Sequence, residues 1–305
     1  MKDQKVRIDL SVCVATYNRW SSCEATLHSL IQQKEIELEI ILVDDCSRDH
    51  PPESILELLQ KNKIRYFRHE KNLGLAAARN TAIKHAQGEY FSFCDDDDLW
   101  PLSLGNSLFS VAHNCHNAGV VIGFTANKYN YCGRFFERKP SLRDVIKKGI
   151  TPPVGSQLYR TSLLQKIGGY NTNVKSGVDH DLWINLLSYN PQVAAYFGPV
   201  AVPGVDPNIE HKTSVEEKRR VGINNALKIW KPLISSELGE DFYSHFLYSY
   251  QQYLDYRFFI QKVRQKKYLE AAVRFSKFSV LRRLIKKMMF GSRRCNLFPE
   301  YKGRT

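Results

Sequence analysis

Tyr90-Phe91-Ser92-Phe93-Cys94-Asp95-Asp96-Asp97-Asp98 is the stretch on which the fold turns. It begins as an apolar run of strand length and ends in four consecutive carboxylates. Acids placed side by side repel one another, and packing alone gives no reason to set them at the end of a buried strand. A divalent cation relieves that repulsion. Mg²⁺ and Mn²⁺ take hard oxygen ligands, need only one or two protein carboxylates, and fill the remaining positions with water and phosphate. A strand that delivers acids to a sheet edge therefore points to a metal–diphosphate site. The plainer alternative is an acidic turn ahead of a helix, with Pro101 at a first helical position.

Upstream of this stretch, strand and helix signals alternate. Leu10 to Ala15 is a short apolar strand that ends in Thr16-Tyr17-Asn18. Ser21 or Ser22 can cap a helix running to about Gln33. Glu39 to Val43 is a second strand and ends at Asp44-Asp45. A helix follows Pro51-Pro52 through Leu59, and Ile64 to Phe67 is a third strand. Asn72 to Gly74 is a turn, Leu75 to Ala86 an alanine-rich helix that Gly88 ends, and Tyr90 to Cys94 the fourth strand. Such alternation implies parallel pairing and an open α/β sheet. Ligands of open sheets bind beyond the carboxyl ends of the strands. The polar residues gather at those ends: Thr16 and Tyr17, Asp44 and Asp45, and Asp95 to Asp98.

Downstream the pattern is less regular. Pro101 to Asn114 reads as a helix; Gly119 to Ala126, Tyr131 to Phe136 and Gly155 to Tyr159 read as strands. A short helix stops at Gly168-Gly169, and Asp181 to Tyr189 is a further helix. Gly204 to Ser214 reads as a loop, and from Val215 the pattern is helical nearly to Phe290.

Charge and cysteine usage narrow the class. The chain of 305 residues carries a net +13. Between Lys262 and Arg294 there are twelve Lys or Arg and one acid, Glu270, so that stretch supplies 12 − 1 = +11. The remaining body is nearly neutral, and an anionic partner is expected at the basic end. The seven cysteines include no Cys-x-x-Cys pair, which reads as reduced thiols in a cytoplasmic protein, neither a disulfide frame nor a zinc site. No N-terminal stretch reads as a signal peptide, and no run approaches the ~20 apolar residues of a membrane-spanning helix.

Taken together, these segments resemble the family 2 glycosyltransferases of the GT-A fold. Ser11-Val-Cys-Val-Ala-Thr-Tyr-Asn-Arg19 looks like that family's opening strand, and Glu39-Ile-Ile-Leu-Val-Asp-Asp-Cys-Ser47 like its second strand and acidic pair. Asn72-Leu-Gly-Leu-Ala-Ala-Ala-Arg-Asn80 looks like its turn and helix, and Gly88 to Asp98 like the strand that carries its Asp-x-Asp motif. Gly168-Gly-Tyr170 and Asp179-His-Asp-Leu-Trp183 resemble its acceptor-side elements. The resemblance spans roughly residues 8 to 190. It implies an α/β fold: a mixed, Rossmann-like sheet flanked by helices, with a C-terminal helical extension. The catalytic domain would be residues 1–214, its donor half about 1–100 and its acceptor half about 101–214, with a basic, mainly helical region over 215–305.

The resemblance also implies roles. A sugar would pass from a UDP-sugar donor to a hydroxyl of a saccharide or lipid-linked saccharide acceptor, with Mn²⁺ or Mg²⁺ as cofactor. Asp45 would accept the uracil N3–H, with Asp44 as its alternative, and Thr16, Tyr17 and Asn18 would lie near the base. Asp95 and Asp97 map to the outer acids of the Asp-x-Asp motif. Asp95 would face the ribose or a metal-bound water and Asp97 would bind the metal, while Asp96 fills the variable donor-side position. Arg79 would approach the diphosphate or the acids. Asp179, just ahead of Leu182-Trp183, would be the general base, with Asp181 its competitor and Trp183 either core or an acceptor platform. His211 and Lys212 would lie in a loop that closes over the diphosphate.

The basic end has its own pattern. Phe275, Phe278, Leu281, Leu284, Ile285 and Met288 fall at helical spacing, with Arg282, Arg283, Lys286 and Lys287 on the flanks. An apolar stripe edged by cations suits a helix lying on an anionic bilayer, so residues 264–294 are expected to meet the inner face of a bacterial plasma membrane. Nucleic acid is not expected, because no recognised nucleic-acid module is present and the site is acidic. Two rivals remain at this level. A nucleotidyltransferase would want a glycine-rich loop where Thr16 to Trp20 stands, and a non-catalytic membrane scaffold would not need Asp45, Asp95, Asp97 and Asp179.

Overall fold

The computed structural model describes residues 7–115, 118–124, 142, 145–146, 154–204 and 216–264. Among them the chain falls into two compact units. The first holds nine strands and six helices; the second is a pair of long helices.

β1 (Leu10–Thr16), β2 (Leu38–Asp44) and β4 (Tyr90–Asp95) are buried along most of their length. Strands covered on both faces read as continuous apolar runs, which is why these three were legible in the sequence. β3 (Arg65–Arg68) is shorter, only half-buried, and lies at one edge. Helices α1 (Trp20–Ile31), α2 (Glu53–Lys61) and α3 (Leu75–His85) connect the four strands, and β1, β2, β3 and β4 pair in parallel throughout.

Beyond β4 the pairing changes. The seven-stranded order is β3-β2-β1-β4-β7-β6-β8, with β6 (Val120–Phe124), β7 (Gln157–Arg160) and β8 (Val193–Phe197). β7 runs antiparallel to both β4 and β6, while β6 and β8 are parallel, so the sheet is mixed as expected. α4 (Leu104–Asn114), α5 (Thr161–Lys166) and α6 (Val178–Ser188) complete this unit. The helix expected from Pro101 begins three residues later. Asp98-Leu99, β5, first pairs with Val202-Pro203, β9, in a two-stranded sheet. That contact joins residues about a hundred positions apart, and no local pattern announces it. β8 went unread for a similar reason, since Val193-Ala-Ala-Tyr-Phe197 has no period-two polarity. Tyr131 to Phe136, expected as a strand, lies outside the described residues.

One face of the sheet is packed by Val12, Val14, Ile40 and Leu42 with Leu27 and Leu30 of α1 and Leu104 and Leu108 of α4. Each such side chain removed from water is worth ~1.5–3 kcal/mol. Register then places the site. Thr16 stands opposite Asp44 and Ala15 opposite Asp95, so the polar ends of β1, β2 and β4 finish level at one edge. Gly88 sits where β4 enters against β1, and a Cβ there would come within 2.5 Å of the Ser11 backbone nitrogen.

The second unit is α7 (Glu216–Leu238) and α8 (Glu240–Arg264), broken apart by Gly239 at φ 91°. Arg220 bridges them, its Nη2 2.6 Å from Asp255 Oδ1 and its guanidinium 5.2 Å from the Phe258 ring. The Tyr243 hydroxyl donates to the Leu227 carbonyl at 3.1 Å. The helical pattern expected from Val215 is met here; its continuation to Phe290, with the basic apolar stripe, lies outside the described residues. No described helix is long and apolar enough to cross a membrane.

Candidate active site

The β2 end supplies two carboxylates with different surroundings. Asp44 is fully buried: it accepts the Ser47 N–H at 2.8 Å, the Tyr66 hydroxyl at 3.2 Å and Arg68 Nη1 at 2.5 Å. Asp44, the expected alternative to Asp45, thus has Ser47, Tyr66 and Arg68 as its donors and no exposed surface. Asp45 accepts Leu73 N–H (2.8 Å) and His69 Nδ1–H (2.8 Å) on Oδ1, and Gly74 N–H (2.7 Å) on Oδ2. A carboxylate offers about four lone-pair sites, so one on Oδ2 is left for a further donor. Gly74 opens α3 at φ 91°, a backbone state that favours glycine, and this turns the two N–H groups onto Asp45.

Two loops close beside it. Asn18, at φ 58°, donates its N–H to the Ser47 hydroxyl and accepts the Arg48 N–H on Oδ1, both at 2.8 Å. Tyr17 is half-buried in the same loop, and the Thr16 side chain is buried beneath it.

The four-acid run is sorted by depth. Asp96 is fully buried and gripped by a fork: Arg19 Nε donates to its Oδ2 at 3.1 Å while Nη2 meets Oδ1. Burial pushes the Asp96 carboxyl up, against the pull of Arg19. Asp96, expected among the donor contacts, is thus buried against Arg19. Arg19 Nη1 reaches on to Asp97 Oδ2 at 3.1 Å. Asp98 lies in β5, where its carbonyl accepts the Thr26 hydroxyl at 2.9 Å. Its carboxyl is pushed up to about 7, first by burial and then by Asp95, Asp97 and Asp96. Asp95 and Asp97 keep part of their side chains at the surface, 39% and 15%.

No three His, Cys, Asp or Glu among the described residues are placed to hold a metal together. The partly exposed carboxylates of Asp95 and Asp97 nonetheless fit a hard divalent cation, which takes one or two protein acids and leaves its other positions to phosphate and water.

Arg79 joins the end of β4 to the first turn of α6. It is only 2% exposed, with its guanidinium 5.2 Å from both the Phe93 and Tyr170 rings. Nη2 donates to Asp95 Oδ1 at 2.7 Å, and Nη1 to Asp179 Oδ1 at 2.6 Å and to the Tyr170 hydroxyl at 3.0 Å. Asp95 ends β4 and Asp179 sits in the first turn of α6, yet one guanidinium spans them. Tyr170 also donates to Asp179 Oδ1 at 3.2 Å, so these recorded contacts all fall on one oxygen of that carboxylate, which is 30% exposed.

A sheet ending in aligned acids, with a buried arginine tying one of them to an acid on a separate helix, invites comparison with known proteins. The model of the family described as Glycosyl transferase family 2 matches residues 11–167, more than half of the chain. This chain belongs to glycosyl transferase family 2.

The family 2 chain is 27% identical over 187 residues to an uncharacterised glycosyltransferase of Haemophilus influenzae, covering 58% of this chain and 62% of that one. It is 29% identical over 190 residues to WcaA of Escherichia coli, named as a candidate colanic acid glycosyl transferase, covering 58% and 66%. It is 41% identical over 93 residues to TuaG of Bacillus subtilis, named as a candidate teichuronic acid glycosyltransferase, covering 30% and 36%. The family 2 chain thus spans less than two thirds of each of these relatives. Among solved structures, S. aureus TarS 1-349 with UDP-GlcNAc aligns at a TM-score of 0.57 with 21% identity, covering 79% of this chain and 70% of that one. The mannosyltransferase PcManGT of Pyrobaculum calidifontis, with GDP-Man and Mn²⁺, aligns at 0.56 with 22% identity, covering 73% and 64%. Both likenesses concern the fold, and with the mixed sheet they place the family 2 chain in the expected GT-A-like class.

Not every expected residue of the family 2 chain reaches the site. Trp183 is 1% exposed and donates its Nε1–H to Gln157 Oε1 at 2.9 Å, the core placement among its two expected readings. Asp181 is buried in the same helix turn. His211 and Lys212 lie outside the described residues. Conversely, Arg19, His69 and Tyr170 touch the site acids, and sequence reasoning missed their roles. Arg19 and Tyr170 stood inside quoted motifs, but nothing in a linear pattern says which acid a side chain will meet.

Proposed function

We propose that this chain is a metal-dependent, inverting glycosyltransferase. It moves a sugar from a UDP-sugar to a hydroxyl of a saccharide acceptor carried on a polyprenyl diphosphate, in synthesis of a bacterial surface polysaccharide such as O-antigen or capsule. The observation that carries this reading is Arg79 holding Asp95 and Asp179 to a single guanidinium. A donor-side acid and a candidate base then flank one point at the carboxyl edge of the sheet, where transfer would occur. The names of WcaA and TuaG support a polysaccharide product, and the nucleotide sugars bound to TarS and PcManGT support a sugar-nucleotide donor.

In this reading the remaining lone pair on Asp45 Oδ2 accepts the imide N–H of the base, and Tyr17 and Asn18 form the adjoining wall. Asp95 and Asp97 would hold Mn²⁺ or Mg²⁺, which supplies charge neutralisation for the departing diphosphate. Arg79 holds the Asp179 carboxylate in a fixed orientation through Oδ1. Asp179 Oδ2 then takes the acceptor proton as the hydroxyl oxygen bonds to the anomeric carbon and the bond from that carbon to the phosphate oxygen breaks. Attack opposite the leaving group inverts the anomeric centre. Work on a lipid-linked acceptor suits a cytoplasmic, peripheral position, with the +11 segment against anionic lipid.

The test is a panel. Full-length protein with Mn²⁺ is offered several UDP-sugars, a GDP-sugar and a synthetic sugar-diphosphate lipid, and product linkage is read by NMR. Inverted product from one UDP-sugar is expected. Binding of no nucleotide sugar, with or without metal, would favour the non-catalytic scaffold.

A further inference from the structure

We propose that His69 is a positioning residue that fixes the nucleobase end of the site and, through Asp45, the choice of base. The inference rests on the reading of Asp45 as the acceptor of a base N–H. His69 directly follows β3, and its N–H donates to the Asp44 carbonyl at 2.9 Å, which ties it to the end of β2. Its side chain is 10% exposed. Nδ1 lies 2.8 Å from Asp45 Oδ1, and Nε2 lies 2.9 Å from Thr81 Oγ1 in α3. An ionised carboxylate only accepts, so Nδ1 carries the proton it donates to Asp45. In the neutral tautomer Nε2 is then an acceptor, and the Thr81 hydroxyl donates to it. The ring thereby links the carboxylate to α3, the helix that directly follows Leu73 and Gly74, whose N–H groups are the other two donors to that carboxylate.

The consequence is geometric. Two backbone N–H groups and one imidazole N–H occupy three of the acceptor positions of Asp45, and they aim what is left on Oδ2. An accept-only oxygen held in a fixed direction favours a pyrimidine whose ring nitrogen bears hydrogen, as in uracil. It opposes cytosine, whose corresponding nitrogen is a second acceptor. Discrimination of this kind depends on the carboxylate staying in place, because a site that can swing away tolerates the mismatched base. Without the imidazole, Oδ1 loses one of its two donors and space opens beside it.

The experiment is calorimetric titration of the full chain with UDP, CDP and pyrophosphate, each with Mn²⁺, for the wild type and for His69→Ala, His69→Asn and His69→Gln. The wild type is expected to prefer UDP to CDP. In His69→Ala that ratio should fall about tenfold, the scale of one charge-assisted hydrogen bond, while pyrophosphate affinity is unchanged. His69→Asn, which returns an N–H near the Nδ1 position, should restore most of the ratio, and His69→Gln should not. An unchanged UDP-to-CDP ratio in His69→Ala would overturn the proposal. So would an equal loss for UDP, CDP and pyrophosphate, which marks a merely structural role. Wild-type protein that binds neither UDP nor CDP would instead overturn the donor reading itself, a result that His69 cannot produce.

Discussion

Arg79 shows how a single side chain decides what a carboxylate does. A guanidinium buried to this depth needs compensating charge, and Asp95, Asp179 and Tyr170 surround it. Burial alone would lower its proton affinity, but these partners outweigh that and hold it well above the usual value. Asp179 is thereby held through Oδ1, and in the proposed reading Oδ2 faces the acceptor hydroxyl. Asp179→Asn should keep UDP affinity within a few-fold of wild type and lose transfer by ~10²-fold or more, the scale of a missing general base. Single-turnover assays beside UDP titration measure both. Wild-type turnover in Asp179→Asn would remove this residue from the chemistry. In the sequence, Asp179 was singled out by the resemblance of Asp179-His-Asp-Leu-Trp183 to a family motif, whereas its contact with Arg79, a hundred residues away, was not legible.

At the scale of elements, the site exists because β1, β2 and β4 end level, and their register depends on close backbone approach. Gly88 is the tightest point: it donates its N–H to Ser11 Oγ at 2.8 Å, and any Cβ would press on the Leu10–Ser11 backbone. Backbone cannot yield as a flexible side chain can. Gly88→Ala is therefore expected to destabilise the protein by about 1–3 kcal/mol, the range for overpacking. Urea unfolding followed by circular dichroism would measure it, and an unchanged midpoint would mean that the strand entry tolerates the shift. β1, β2 and β4 were readable as buried apolar runs, and β3, half-buried and bearing Arg65 and Arg68, from its place between α2 and α3. β6 and β7 were readable as well, in the runs Gly119 to Ala126 and Gly155 to Tyr159, whereas β5 and β9 were not, because they are two residues long and find each other only after the chain has folded.

Two properties belong to the molecule as a whole. His180 is half-buried, its Nε2 3.1 Å from the Val145 carbonyl, and loss of solvent around the ring lowers its pKa from the ordinary value of 6.5. The folded protein thus prefers the neutral ring more than the unfolded chain does. Stability from this group is complete above about pH 6.5 and is lost as the pH falls from there toward the lower folded value. Unfolding free energy should decline across that window, and His180→Gln should flatten part of the decline; equal slopes for both proteins would remove His180 as the cause. Charge acts at the other end. With +11 concentrated between residues 262 and 294, full-length protein should co-sediment with anionic vesicles, weakly with neutral ones, and less as salt rises. Replacing Arg282, Arg283, Lys286 and Lys287 by glutamate should abolish that binding, and sedimentation unaffected by the four changes would place the contact elsewhere.

The sequence by itself determined the first four strands and their parallel pairing, the family, and the positions of the acids, because hydrophobic period and short motifs are local and survive in a linear string. Only the tertiary structure decided which acid is which. Asp96 faces inward onto Arg19, Asp95 shares Arg79 with Asp179, Asp45 gathers three donors, and Trp183 turns into the core. Depth and partner are properties of the folded surroundings: four neighbouring aspartates look alike until burial and a buried arginine make them different.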